Sequence, residues 1–363
     1  MRPRFEFRVI DENASLNGIR NEWDVLLAES VSNRLFLSWE WMSVWWRHFR
    51  NNRQLHVIEV RDRGDLAAIL PLCVVSGRME FLGTGSVGAD YLDLIVRNDR
   101  DSSINTAIAR YLEQTGLVLR FRQLPDDSTI HRVAAGLEKH GSRVVERKSG
   151  VCPFLQLNGF SWETFVSSLG KSHRENVRRR LRKLEERGAT FELAESETDR
   201  RRNLGILLDL HNKCWKDRGG SDGLHTAELV SFHEDFSRLA FERGWLRLFV
   251  LRVGGDPVAA VYGFLVNGTF YFYQSGFEPS CGNWSVGLVA LAMSIRHAIG
   301  EKAAEFDLLH GNEEYKFRWA KAVRELSCLE IYPHSFSGSF ALRATQAVRA
   351  TRRMARYVIP KNW

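Results

Sequence analysis

Short runs of alternating apolar and polar residues, punctuated by turn formers, recur along the chain between longer stretches of helical period. Phe5–Ile10 reads as a strand and Ile19–Glu29 as a helix. In FLSWEWMSVWWRHF, Ser38 stands where an N-cap belongs, and Trp41, Val44, Trp45 and His48 recur at helical spacing. LHVIEV and LAAILPLCVV predict two strands joined by the turn Arg61–Asp65, and YLDLIV predicts a third. Helices are expected near 102–115 and 128–140, with strands at LVLRF and SRVVER. After a break near Lys148–Pro153 the second half repeats this order in outline. A helix from Ser161, a basic helix, a strand near 189–194 and a long helix over about 199–217 lead to three strands in quick succession. These are WLRLFVLRV, PVAAVYGFLV and TFYFYQSGF, the last two joined by Asn267-Gly268, a pair that tolerates the positive φ of a tight hairpin. The loop Glu278–Ser285, the helix GLVALAMSIRHAIG, the strand EFDLLH, a short helix near Glu313–Lys321 and the strand LSCLEIY follow. The fold class is α/β (α+β), with sheets covered by helices.

A chain of 363 residues exceeds one typical core and predicts two domains, at 1–150 and 151–335, before a basic tail at 336–363. The hydrophobic fraction of 44% and the 11 tryptophans exclude a disordered chain. No stretch approaches the roughly 20 apolar residues of a membrane span. The N-terminus MRPRFEFRVIDENAS reaches acidic residues without an apolar signal core, so a cytoplasmic location is expected. Cys73, Cys152, Cys214, Cys281 and Cys328 stand singly, without a CxxC pair, and read as reduced thiols rather than metal ligands. The net charge of +7 is concentrated in two places. KSHRENVRRRLRKLEER carries eight basic and three acidic residues, and the last 23 residues carry six basic and none acidic. Such patches favour anionic partners. The tail predicts a basic helix with a loose apolar face of Leu342, Ala347, Val348 and Met354, to be packed on its own domain or laid on a membrane surface.

Three antiparallel strands, a glycine-containing loop, a helix and a further strand form the unit that carries chemistry. An anionic pyrophosphate needs backbone N–H donors at a helix terminus with nothing blocking close approach. Ser285-Val286-Gly287-Leu288 offers that arrangement, with Gln274 and Ser275 on the third strand counted beside it. Acyl transfer to an amine needs a base, an oxyanion donor and an acid for the departing thiolate. In FDLLHGNEEYKFRW, Asp307, His310, Glu313 and Glu314 are alternatives for the base, and Lys316 is placed to neutralise an oxyanion or an acidic acceptor. His211, Trp215 and Arg218 share one helix face as a second candidate group, for substrate. On the basic helix Val177, Leu181 and Leu184 form an anchoring face, while Lys171, Arg174 and Arg178 are available to phosphates. The glycine cluster LGTGSVGAD is not followed directly by a helix; Asp90, Tyr91 and Asp93 just after it are placed to line a cleft between the halves.

The segments FLSWEWMSVWW, LGKSHRENVRRRLRKLEERG, LLDLHNKCWKDRGG and FDLLHGNEEYKFRW resemble the CelD-like, cellulose-biosynthesis-type acetyltransferases. That group is similar to the GNAT acetyltransferases and to the Fem peptidyltransferases. The resemblance implies two tandem GNAT-like modules, each a mixed, mostly antiparallel sheet flanked by helices. It implies acetyl-CoA or another acyl-CoA as co-substrate in the second module, and Tyr315 as the acid. It further implies a small-molecule or glycan-precursor acceptor linked to exopolysaccharide or cell-envelope synthesis. The loop NWSVG departs from the Pro-Gly that many members carry. Two rival expectations stand beside acyl-CoA transfer: a Fem-like peptidyltransferase using aminoacyl-tRNA, and a non-catalytic scaffold of a polysaccharide cluster. The basic helix lacks interleaved aromatics, so nucleic acid is expected only in the first of these.

Overall fold

The computed structural model describes residues 4–85, 87–97, 102–216, 224 and 226–358, with the side chains of 215, 216, 350 and 352–358 set aside. In the first half the strands are β1 (Phe5–Ile10), β2 (Gln54–Leu55), β3 (Val57–Asp62), β4 (Asp65–Leu70), β5 (Leu72–Val75), β6 (Arg78–Phe81), β7 (Ile95–Val96) and β8 (Val118–Pro125). Its helices are α1 (Asn13–Gly18), α2 (Arg20–Ala28), α3 (Trp39–Phe49), α4 (Ser103–Gln114) and α5 (Ile130–Lys139). In the second half β9 (Arg143–Gln156) precedes α6 (Trp162–Ser168), α7 (Lys171–Glu185), β10 (Thr190–Leu193), α8 (Glu197–Lys216) and α9 (Ala227–Glu242). The meander β11 (Leu246–Val253), β12 (Asp256–Val266) and β13 (Thr269–Phe277) leads to α10 (Val286–Gly300) and β14 (Glu305–Asp307). Finally come α11 (Glu314–Phe317), β15 (Ala322–Tyr332) and α12 (Phe336–Val358).

The strands form a 4-stranded sheet, β1-β3-β4-β7, and an 11-stranded sheet, β10-β11-β12-β13-β14-β9-β15-β8-β6-β5-β2. Only β13–β14 and β6–β8 pair in parallel among the described strands, so the sheets are mixed and mostly antiparallel, as expected. The large sheet runs through both halves because β15, from the end of the chain, inserts between β9 and β8. The boundary expected at residue 150 falls inside β9. The single strand expected over Leu66–Val75 is divided at Pro71 into β4 and β5, which join different sheets. Proline offers no N–H to a ladder, so the chain changes partners there. The strand expected over Tyr91–Val96 shrinks to β7. Asp93 instead turns inward and accepts from Ser32, Ser128 and the amides of Leu94, Thr129 and Ile130, tying the start of α5 to the sheet.

Alternation sorts the meander into two cores. Leu248 and Val250 face α8, α9 and the first half, whereas Phe249 and Leu251 face α7 and α10. Asn267 and Gly268 take φ of 50° and 76° at the β12–β13 turn. Ser38 caps α3 through Trp41 N at 3.2 Å, and the tryptophans it launches cement the halves. The Trp41 ring lies edge-on to Phe232 and Phe236 of α9 and to Tyr273 of β13, at centroid distances of 5.1, 4.7 and 5.7 Å. The sequence pattern does not single out α9, although Thr226 caps it through Leu229 N at 3.3 Å.

Candidate active site

The pairing of β13 with β14 lasts three residues, from Thr269–Glu305 to Tyr271–Asp307. Beyond it β13 continues along β12 to Phe277, while the chain after Asp307 stays with β9. Leu308 N donates to Pro153 O at 2.9 Å and Gly311 N to Val151 O at 3.1 Å. The sheet therefore splits, and a cavity of about 830 Å³ lies at the split. Tyr273 and Gln274 line one wall, Leu309 and His310 the other, and Asp90, Gln123, Arg53, Gly85, Val87 and Gly88 close it from the first half.

The turn that carries His310 is built from a buried ammonium outward. Lys316, 4% exposed, donates to the carbonyls of Leu309 at 3.2 Å and His310 at 2.8 Å, and pairs with Glu313 at 3.1 Å. Leu309 sits at φ 56° and Gly311 at φ 145°. A Cβ on Gly311 would overlap Glu313 and the Lys316 ammonium, so glycine is required. Two consecutive residues of the first half clamp this turn. Tyr91 donates its hydroxyl to Asp307 Oδ2 at 2.7 Å, and Asp90 Oδ2 accepts His310 N at 2.9 Å. Asp90 Oδ1 accepts Gln123 Nε2 at 3.1 Å, and Asp307 Oδ1 accepts Leu309 N at 2.8 Å. Asp90 and Tyr91 do reach the junction of the halves, whereas Asp93 serves α5.

Burial pushes Asp90 up to about 6 against the opposing bonds from His310 N and Gln123. It pushes Asp307 up to about 7, against Tyr91, Leu309 N and Arg324. An acid whose folded value is raised contributes stability that is complete below its unfolded value near pH 4 and lost as pH rises through about 7. Asp307→Asn stays neutral; its Oδ1 can still accept from Leu309 N, and its Nδ2 donates to the Tyr91 hydroxyl, which can accept. Its unfolding free energy is expected to gain on wild type progressively from about pH 4 to pH 7, by up to about 4 kcal/mol. Urea titrations across that range measure the gap; a constant offset would contradict a raised Asp307.

Among the sequence-proposed catalytic residues, His310 alone lines the cavity. Asp307 and Lys316 are buried in the frame behind it, whereas Glu313 and Tyr315 are exposed on the outer side of the turn. Burial and three partners thus make Lys316 part of the frame of the turn. Gln274 lines the cavity; Ser275 turns its carbonyl to His211 Nδ1 at 3.0 Å. His211 is thus a buried histidine that fastens α8 to β13, where a Cβ on Gly276 would overlap the α8 backbone. The side chain of Trp215 and all of Arg218 lie outside the described residues.

Ser285 adopts φ 57° and ψ 43° and makes no side-chain cap. The first backbone bond of α10 runs from Val289 N to Ser285 O at 3.1 Å, so the amides of Val286, Gly287 and Leu288 face out of the helix end. Of the cations of α7, Arg174 donates to Ser167 O at 2.9 Å and Arg178 reaches Ser167 Oγ at 3.4 Å, binding α6, and Lys171 is exposed. Arg180, not singled out by the sequence, donates to Asn283 O at 2.6 Å, beside the start of α10. Arg187 lies 4.4 Å over the Trp284 ring. Helical spacing alone does not distinguish the seven neighbouring cations; the fold brings Arg180 to Asn283.

Residues 171–317 match the family described as the acetyltransferase (GNAT) domain. The match spans the basic helix, the meander, α10 and the His310 turn. The chain thus contains a GNAT-type acetyltransferase domain and is a transferase. It shares a fold with FemX, at 11% identity and a TM-score of 0.62, over 89% of this chain and 96% of FemX. It also shares a fold with L-PGS from Bacillus licheniformis, at 15% identity and a TM-score of 0.57, covering 89% of this chain and 95% of that one. No curated protein matches the sequence.

Proposed function

We propose that this transferase moves an acyl group from acyl-CoA to an amine of a small-molecule or glycan-precursor acceptor, in exopolysaccharide or envelope synthesis. The observation that carries the reading is the split between β13 and β14, where a cavity shared by both halves opens, in a unit whose α10 starts with the outward amides of Val286, Gly287 and Leu288. The pyrophosphate of the donor sits on the amides of Val286, Gly287 and Leu288, with Arg180 beside them. The thioester lies in the split near Gln274, and the acceptor enters the cavity. The amine attacks the thioester carbonyl, the C–N bond forms as the C–S bond breaks, His310 accepts the amine proton, and the CoA thiolate departs to be protonated. Asp90 positions His310 through its backbone. Transfer is direct; Cys152, beside Tyr91, is buried and pushed well above the ordinary thiol value by that burial, which disfavours an acyl-thiol intermediate. Asp307, Glu313, Tyr315 and Lys316 hold the turn rather than react.

Isothermal titration tests the donor. Acetyl-CoA is expected to bind, and Arg180→Ala to weaken it by about tenfold, as one charge-assisted contact is lost. Fold likeness to FemX favours a second reading, a peptidyltransferase that takes aminoacyl-tRNA. Binding of tRNA without binding of acyl-CoA would establish that reading instead, and binding of neither donor would return the chain to a scaffold role.

A further inference from the structure

Among the described residues the last helix has one face on the sheet and one face exposed. Gly338 is buried at its first turn, and Ala341, Leu342, Thr345 and Arg349 are half-buried along it. Arg349 donates to Glu330 of β15 at 2.6 Å. Glu330 also receives Tyr332 at 2.9 Å and Arg147 at 3.0 Å, so its charge is met from within. Ala344 and Val348 look into a groove of about 270 Å³ between the helix and the strand edge. Of the apolar face expected from Leu342, Ala347, Val348 and Met354, Leu342 is half-buried, Val348 lines the groove while still 53% exposed, Ala347 is exposed, and the side chain of Met354 lies outside the described residues.

Outward, at spacings of four, three and four, stand Phe336, Phe340, Arg343 and Ala347. Phe336 is 90% exposed and Phe340 68%, the two most exposed large apolar side chains among the described residues. Arg343 has no carboxylate partner among those residues. The helix contains no acidic residue in 23, while arginines recur at 343, 349, 352, 353 and 356. Exposed aromatic rings on a helix whose charge is of one sign only form the amphipathic pattern of an interfacial helix. No helix of the described residues is long and apolar enough to cross a membrane.

We propose that the outward face of α12 is a membrane-docking surface that lays Phe336 and Phe340 into the headgroup region of an anionic lipid bilayer, with Arg343 on the lipid phosphates. A lipid surface fits better than a protein partner, because the stripe is narrow, convex and accompanied by cations alone. Docking would hold the sheet against the bilayer while the cavity stays on the protein. It does not depend on which donor the site uses.

Co-sedimentation with vesicles tests it. The full chain is expected to pellet with phosphatidylglycerol–phosphatidylcholine vesicles, to stay in solution with phosphatidylcholine alone, and to be released by salt. Phe336→Ser with Phe340→Ser should lower the partition coefficient by about tenfold or more, from the apolar transfer of two rings. Arg343→Glu should lower it by about fivefold or more on anionic vesicles. Circular dichroism of each variant confirms that the fold is kept, as these side chains touch no core. Absence of binding to anionic vesicles would overturn the proposal, as would binding that ignores the two phenylalanines. A dimer in solution that the Phe336→Ser/Phe340→Ser variant dissolves, without vesicle binding, would overturn it in favour of self-association.

Discussion

His310→Gln is expected to lower turnover by about 10²- to 10⁴-fold, the range of a lost general base, with acetyl-CoA affinity unchanged. His310 is the one proposed catalytic side chain that faces the cavity, and its place there is built rather than incidental. Its amide is held by Asp90 and its carbonyl by Lys316, so the imidazole is carried on a turn fixed at both ends. Single-turnover rates with saturating acyl-CoA, alongside titration of the donor, separate loss of the base from loss of binding. Gly150 supplies a second arm of the same experiment. A Cβ at that position would overlap the His310 ring, so Gly150→Ala must displace the imidazole without touching the donor site. Turnover by Gly150→Ala is expected to fall in the same direction. Full activity in His310→Gln would remove His310 from the reaction.

Lys316→Ala is expected to destabilise the protein by about 2–4 kcal/mol, seen as a lower urea midpoint, rather than to act on turnover alone. The ammonium satisfies two carbonyls of the turn and pairs with Glu313. Removing it leaves both carbonyls without a donor in a buried place and lets the turn relax. Wild-type stability with reduced turnover would assign Lys316 to the chemistry instead.

Much of the second half was legible because its signals are local. Asn267-Gly268 accepts positive φ at both positions, so the hairpin and the register of β12 and β13 as far as Gly263 and Phe272 follow from two residues, before the register shifts at Tyr262. Ser161 and Thr164 close a capping box at α6, and Ser38 caps α3, because these bonds span three residues of chain. Less legible was the clamp of Asp90 and Tyr91 on Asp307 and His310, whose partners stand 216 and 220 residues apart. No periodicity encodes such a pairing. Likewise FDLLHGNEEYKFRW displays seven polar side chains in the ten residues from Asp307 to Lys316, and composition cannot tell which of them faces the cavity and which is buried behind it.

The GNAT-like character of the second half came from its resemblance to a family; from residue types and spacing alone came the α/β class, the meander with its following helix, the amides at Ser285–Leu288 and the basic final helix. Each depends on backbone preferences or on hydrophobic period, which act within a few residues. Tertiary structure decided the rest. It threaded β15 between β9 and β8 to make one sheet of both halves, and it parted β13 from β14 after three pairs. It also buried Lys316 and Asp307 while leaving His310 in the cavity, brought Arg180 rather than Arg174 or Arg178 to Asn283, and turned Phe336 and Phe340 to solvent. These outcomes depend on which surfaces meet across hundreds of residues, where burial and desolvation, not local propensity, set each side chain's task.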